Sequence, residues 1–206
     1  MSIRKGTLFI AGVGILTAVV VVLQYLTAWL HAGGLFSLTF ALVPIIVGGA
    51  LYGVGAGAWL GLAFGVAVLL SGDASLFLQI NPVGTIATVL VKGAAAGAEA
   101  ALVYKAASVT WKNPYPGVVL SSILCPVTNT GVFLIGCMLF FVDTIKEWAG
   151  AGVNVGVFVV TGLIGWNFLI ELGVCLVLCP VIYRIIQIGR NYIGSRTPDS
   201  GKSAGF

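Results

Sequence analysis

Long apolar runs dominate the chain, and polar residues interrupt them only briefly. A helix that crosses a membrane needs roughly 20 apolar residues, and runs of about this length recur almost to the end of the sequence. They predict an all-α integral membrane protein with six helices, at residues 7–31, 37–53, 56–72, 82–106, 117–142 and 154–184. We expect one domain over residues 1–190, followed by a disordered tail at residues 191–206, where glycine, serine and proline replace the apolar residues.

Glycine recurs at every fourth position in one part of the chain. Small residues four apart on a helix allow a second backbone to approach closely, which is a main way of packing helices in lipid. The spacing predicts that residues 37–72 form two tightly packed helices, and the glycine-rich residues 53–57 predict a tight turn between them. The five glycines of this stripe are Gly49, Gly53, Gly57, Gly61 and Gly65.

Composition and charge support the membrane assignment and orient the chain. The sequence is 59% hydrophobic and 8% charged, whereas soluble domains carry about 25% charged residues. Six spans place most of the basic residues on one side, which the positive-inside rule makes the cytoplasm, so both termini are expected there. This orientation explains the net charge of +4 without a nucleic-acid partner. The residues concerned are Arg4, Lys5, Lys105, Lys112, Arg184, Arg190, Arg196 and Lys202.

Four polar residues form a stripe on the predicted fourth helix. Asn81, Thr85, Thr88 and Lys92 follow one another at spacings of four, three and four, so they share one helix face. Ionisable groups inside a bilayer are costly and usually functional, which favours the wall of a binding cavity with Lys92 as its cation. The alternative is structural: the threonines bond to their own backbone, and Lys92 pairs with a glutamate, Glu99 or Glu171.

The predicted fifth helix contains a proline close to an asparagine. Pro126 removes a backbone donor and kinks the helix, which frees the carbonyl group of Ser122. Asn129 then shares a face with Phe133, and such a face can hydrogen-bond and stack a flat heterocycle. The alternative is a kink whose freed groups are satisfied by Thr128 and Asn129 themselves.

The predicted sixth helix places Asn167 and Glu171 one turn apart. Counted from the outer helix ends, Asn129, Asn167 and Lys92 reach similar depths, on the order of 15–21 Å at 1.5 Å per residue. Three helices therefore bring two amides and an ammonium group to one level, where they could bind a ligand. The candidate substrate-binding residues are Asn81, Thr85, Lys92, Asn129, Phe133, Asn167 and Glu171.

Several classes of enzyme are excluded by missing motifs. The chain has no G-x-x-x-x-G-K-[ST] sequence, so it does not bind nucleotide through a P-loop. Its one histidine, His31, lies at a predicted helix end, which leaves no intramembrane Ser-His pair and no H-E-x-x-H zinc site. We expect neither catalytic nor metal-binding residues, and no cofactor.

The chain resembles the S components, the substrate-specific membrane subunits, of energy-coupling factor (ECF) vitamin importers. The resemblance covers residues 4 to about 190 and begins with the six short-looped spans that have both ends inside. Its further elements are residues 42–49 leading into Leu51-Tyr52-Gly53 and Gly57, Lys92 before Gly93 and Gly97, residues 125–131, and Asn167 with Glu171.

The resemblance implies an importer subunit of the bacterial plasma membrane. An S component captures a vitamin from outside, and delivers it when docked on a transmembrane T subunit driven by two ATPases. Family members dock through an A-x-x-x-A face on the first helix. Here Ala11, Gly14 and Ala18 share such a face, with Gly14-x-x-x-Ala18 as the literal match. Without the resemblance, this stripe would be interpreted as internal packing.

The riboflavin branch of the family gives the leading substrate. In that branch, asparagines of the fifth and sixth helices and a lysine hold the vitamin, which implies such roles for Asn129 and Asn167. Lys92 departs from the branch because it lies in the fourth helix rather than the sixth. An anionic vitamin, such as pantothenate or a folate, could use Lys92 equally well.

Two other function classes remain open from the sequence. A self-sufficient carrier or channel would need an ion pathway to the cytoplasm, for which Lys92, Glu99 and Glu171 are the candidates. A structural assembly protein would use the glycine stripe only to pack against partners. For a cavity with a gate, the short segments at residues 31–37 and 72–81 are the candidate gating loops.

Overall fold

The computed structural model describes residues 3–31, 40–111, 113–150, 153–159 and 165–195. The regular structure within these ranges is helical, as the apolar pattern predicted. In chain order the helices are α1 (Ile3–His31), α2 (Leu42–Tyr52), α3 (Val54–Ser71), α4 (Ser75–Ile80), α5 (Pro82–Thr110), α6 (Tyr115–Phe140), α7 (Val142–Ala149), α8 (Val155–Phe158), α9 (Gly165–Val177) and α10 (Cys179–Ser195).

Several of these helices are apolar and long enough to cross a membrane. In the described part of the chain, four qualify by themselves: Gly6–Trp29, Val54–Ser71, Pro82–Thr110 and Tyr115–Phe140. The bent pair of Phe168–Val177 and Cys179–Ser195 brings the number to five if it forms one span. The protein is therefore an all-helical chain with the length and apolarity of a multi-pass membrane protein. Six spans remain a prediction.

The second predicted helix is shorter than the sequence suggested. α2 has 11 residues, which at 1.5 Å per residue is about half of a hydrocarbon core. The predicted start at residue 37 lies outside the described residues. The tight turn that was predicted for residues 53–57 is reduced to Gly53, whose φ of 92° separates α2 from α3 and favours glycine.

The sixth predicted helix is not continuous. Residues 154–184 were expected to form one span, but the described part contains α8, α9 and α10, and α9 is bent by 52° relative to α10. Pro180 lies in the first turn of α10 and has no N–H for the helix hydrogen-bond ladder, so a break before it is expected. α10 then continues to Ser195, past the predicted start of the tail at residue 191, because buried Ile182 and Ile186 pack it into the bundle.

The glycine stripe packs against a different helix from the one expected. α2 and α3 do touch, since Leu60 lies against Gly48, but every glycine of the stripe except Gly53 faces α5. A methyl group on Gly57 would overlap the carbonyl group of Gly97, and a Cβ on Gly65 would lie 2.8 Å from the carbonyl oxygen of Val89. The sequence interpretation named Gly93 and Gly97 but did not predict that these glycines of α5, spaced four apart, accept the α3 backbone at close range.

Candidate functional site

A cavity of about 280 Å³ opens where α3 ends and α5 begins. α1, α3, α5, α6 and α9 surround it, together with the segment between α3 and α4. Its volume lies just below the roughly 300–1,000 Å³ that is typical of small-molecule sites. Among the described residues, eight polar side chains line it, and they are Gln24, Asp73, Thr85, Thr88, Lys92, Asn129, Thr130 and Glu171.

Three of the four residues of the predicted polar stripe line this cavity from α5. Thr85, Thr88 and Lys92 all line it, because residues three and four apart lie on the same helix face. The Lys92 Nζ atom lies 5.1 Å from the centre of the Phe133 ring and 5.9 Å from that of Phe64. An ammonium group at this distance over an aromatic face is stabilised by the ring quadrupole.

The threonines of the stripe behave differently from each other. Thr85 donates its hydroxyl to the carbonyl oxygen of Asn81 at 2.8 Å, which is the backbone interaction of the structural alternative. The hydroxyl oxygen of Thr88 is buried and has no hydrogen-bond partner among the described residues. Thr88 therefore remains available to a molecule in the cavity.

Asn129 reaches the cavity from α6, near the proline inside that helix. Its side chain is 5% exposed, and its Oδ1 atom has no partner in the described part of the chain. Leaving a buried acceptor unpaired costs about 1–3 kcal/mol. Phe133, one turn further along α6, also lines the cavity. The expected face of Asn129 and Phe133 is thus directed toward the space that a ligand would fill.

The remaining predicted site residues have different positions. Glu171 on α9 is buried and lines the cavity opposite the α5 stripe. The side chain of Asn167 lies outside the described residues. Asn81 is not among the residues that line the cavity, and its Oδ1 instead accepts a hydrogen bond of 2.9 Å from the backbone N–H of Gly84. The structure thus gives Asn81 the role of N-cap of α5.

Three polar residues that line the cavity, Gln24, Asp73 and Thr130, were not candidates from the sequence. Gln24 on α1 is 2% exposed, and its Nε2 donates a hydrogen bond to Oδ2 of Asp73, just after α3. Nε2 also lies 3.5 Å from the hydroxyl oxygen of Ser71. Gln24 could have been found, because an amide inside an apolar run is itself a signal. Asp73 lies in the segment at residues 72–81, which was interpreted only as a candidate gating loop.

Aromatic side chains close the cavity near α4. The ring of Phe77 makes edge-to-face contacts with Phe133, Phe141 and Trp148, with centroid distances of 5.6, 5.1 and 5.9 Å. Such pairs are stabilising beyond the apolar area that they bury. Phe77 belongs to the segment 72–81 that was expected to gate a cavity, and in the structure this segment forms α4 and one part of the cavity wall.

The predicted docking residues lie on an open face of α1. Ala11, Gly14 and Ala18 are all exposed, and a Cβ on Gly14 would meet no atom within 4 Å. Gly12 points elsewhere, because a Cβ there would overlap the phenol group of Tyr52. The stripe is therefore not internal packing within this chain.

Comparison with known proteins does not identify the chain. No family model matches it, and no match to it was found among curated proteins or solved structures.

Proposed function

We propose that this protein is the S component of an ECF-type importer in the bacterial plasma membrane. In this proposal six spans place both termini in the cytoplasm, and the cavity captures a vitamin-sized molecule from outside. The observation that carries the proposal is the pair of buried, unpartnered oxygen atoms on Asn129 and Thr88, two residues that line the cavity together with Lys92.

Energetics favour a ligand in this cavity over a purely structural role. Buried polar atoms are paired in the great majority of native proteins, so each exception calls for a reason. Here the two oxygen atoms belong to neighbouring helices and line the same space. A bound molecule with hydrogen-bond donors would satisfy both, while the aromatic rings around Phe77 would bury its apolar surface.

Riboflavin is the leading substrate within this proposal. Its flat ring system matches a cavity that has Phe133, Phe77 and Phe141 in its wall, and its imide and hydroxyl groups can donate to Asn129. Side-chain amides and edge-to-face aromatic walls are the groups expected for such a heterocycle. Other vitamins of similar size remain alternatives that the binding experiment separates.

The proposed partners are a T subunit and two ATPases. The chain lacks a P-loop of its own, so an energised cycle would need ATPases from outside. The open face of Ala11, Gly14 and Ala18 supports docking on α1, because small exposed residues let another helix approach its backbone closely.

Native mass spectrometry of the protein purified from detergent tests this proposal, with an absorption spectrum of the same sample. We expect a co-purified mass of vitamin size, and a flavin spectrum if the substrate is riboflavin. An empty protein that also fails to bind a panel of vitamins would contradict the proposal and favour an assembly protein. Uptake into liposomes by the purified chain alone, without ATP, would favour a self-sufficient carrier.

A variant of a cavity residue tests whether the ligand binds in this cavity. Asn129→Ala should weaken binding about tenfold or more, the effect of one lost hydrogen bond in a buried site. Asn191→Ala is the matched control, because Asn191 is an exposed residue of α10 outside this cavity. Equal ligand affinities of the two variants would show that the ligand does not bind to Asn129.

A further inference from the structure

The contact between Gln24 and Asp73 fixes which atom Gln24 offers to the cavity. Its Nε2 donates to the carboxylate of Asp73, so the amide cannot turn without placing its oxygen against that carboxylate. Oε1 is consequently held as an acceptor. It is buried, and it has no hydrogen-bond partner in the described ranges. Gln24 itself is 2% exposed and lines the cavity.

Acceptors dominate the unpartnered polar atoms of this cavity. Oε1 of Gln24 and Oδ1 of Asn129 are carbonyl-type oxygens that can only accept, and the Thr88 hydroxyl can accept or donate. Gln24, Asn129 and Thr88 belong to three different helices, α1, α6 and α5, and all three residues line the same cavity. A molecule that satisfies them must bring its own N–H or O–H groups.

The charges around the cavity favour the same class of ligand as the unpartnered acceptors. One ammonium group, that of Lys92, and two carboxylates, those of Asp73 and Glu171, line its described wall. The Nζ atom of Lys92 also lies over the ring of Phe133. Two carboxylates against one ammonium group give the described wall a negative formal charge. An added carboxylate or phosphate group would be repelled by this negative charge.

We infer that the cavity selects a neutral or cationic molecule that donates hydrogen bonds to Gln24 and Asn129, and that it discriminates against carboxylate and phosphate anions. This inference rests on the proposed function, since it takes the cavity to be a small-molecule site. It decides between the two substrate groups that Lys92 alone left open: riboflavin belongs to the selected class, whereas pantothenate and folates do not.

Matched pairs of probes test the inference on the full chain in lipid nanodiscs. Each pair shares a ring system and differs in charge: riboflavin and riboflavin 5′-phosphate, nicotinamide and nicotinate, pyridoxine and pyridoxine 5′-phosphate, thiamine and thiamine monophosphate. Dissociation constants are measured by calorimetry for each member. In every pair that binds, we expect the neutral or cationic member to bind at least about tenfold more tightly, as for one charged hydrogen-bond partner gained or lost.

Substitutions at Asp73 and Gln24 test whether these residues cause the selectivity. Asp73→Asn should reduce the ratio between the dissociation constants of the anionic probe and its partner. The control Asp143→Asn should leave this ratio unchanged, since Asp143 is an exposed acid paired with Lys146. Gln24→Leu should weaken the preferred probe about tenfold, and Gln79→Leu, at an exposed position of α4, should leave it unchanged. Because Asp73 is exposed, its variant should fold even if Gln24→Leu does not.

The outcomes separate this inference from the proposed function. The inference is overturned if the two probes of a pair bind tightly and the anionic probe binds as tightly as the other or more tightly. That result would leave the S-component proposal standing. Equal ratios in Asp73→Asn and Asp143→Asn would also overturn it. If no probe binds to the folded chain, both the inference and the proposed function fail together.

Discussion

Gly61 of α3 and Gly93 of α5 face each other so closely that neither could carry a side chain. A methyl group on Gly61 would overlap the carbonyl group of Gly93, and one on Gly93 would overlap that of Gly61. The two backbones therefore pack directly against each other. This contact holds the α5 stripe in place, because Lys92 is the residue next to Gly93 and reaches the cavity from there.

Gly61→Ala should destabilise the bundle. The atoms in its way are backbone atoms of α5, which cannot turn aside as a flexible side chain would, and overpacking of this kind costs about 1–3 kcal/mol. Unfolding in mixed micelles of increasing denaturing detergent would measure the free energy of unfolding. Gly55→Ala is the control, because Gly55 is an exposed residue of α3 with nothing within 4 Å. Equal stability of the two variants would contradict direct backbone packing.

Asn81→Ala should affect stability rather than ligand binding. The loss of its cap on Gly84 removes a helix N-cap, which costs about 0.5–2 kcal/mol. Asn81→Asp keeps a capping oxygen and should restore most of the stability. Thermal unfolding and the ligand dissociation constant are measured on both variants. An affinity that falls about tenfold in both, with unchanged stability, would instead make Asn81 a ligand-binding residue, as the sequence suggested.

Lys92→Met should weaken ligand binding about tenfold or more while the chain remains folded. Methionine retains an unbranched apolar side chain between Phe64 and Phe133 but removes the ammonium group. Calorimetry measures affinity, and size-exclusion chromatography checks the fold. Lys146→Met is the control, because Lys146 is exposed and pairs with Asp143 at 2.9 Å.

A structural role for Lys92 predicts a different pattern. If Lys92 mainly balances Glu171, the single variant should lose stability and keep its affinity. Adding Glu171→Gln should then restore the stability, because the buried charge left behind is removed. The double variant therefore distinguishes the two interpretations that the sequence left open.

Gly14→Leu should abolish co-purification with a T subunit and preserve ligand affinity. A leucine side chain has room on the free chain but would hold a docking helix away from α1. Gly55→Leu places the same side chain on another open helix surface and serves as the control. Loss of folding in Gly14→Leu would show that this face is buried in the protein after all.

The α5 stripe and the Asn129 face of α6 could be predicted because they depend on helical periodicity. Once a helix is known, residues at spacings of three and four must share a face, so Thr85, Thr88 and Lys92 had to lie together. The shared face of Ala11, Gly14 and Ala18 on α1 followed from the same argument, whereas their docking role came only from the family resemblance and stays a prediction. The cap was missed: Asn81 directly precedes Pro82, an order typical of an N-cap followed by the first helical residue, but the sequence interpretation assigned Asn81 to the cavity.

The partners of each face could not be predicted, because contacts between helices join residues far apart in the chain. The glycine stripe predicted that a second helix backbone approaches closely, but it did not indicate whether α2 or α5 supplies that backbone. Gln24 and Asp73 are separated by 49 positions, and their hydrogen bond exists only because α1 packs beside the end of α3. The sequence by itself determined the helical class, the apolar segments and which polar residues share a helix face, but not the bounds and breaks of every helix. Tertiary packing alone decided which faces enclose a common cavity, since the free energy of burial depends on the neighbours that each helix meets in space.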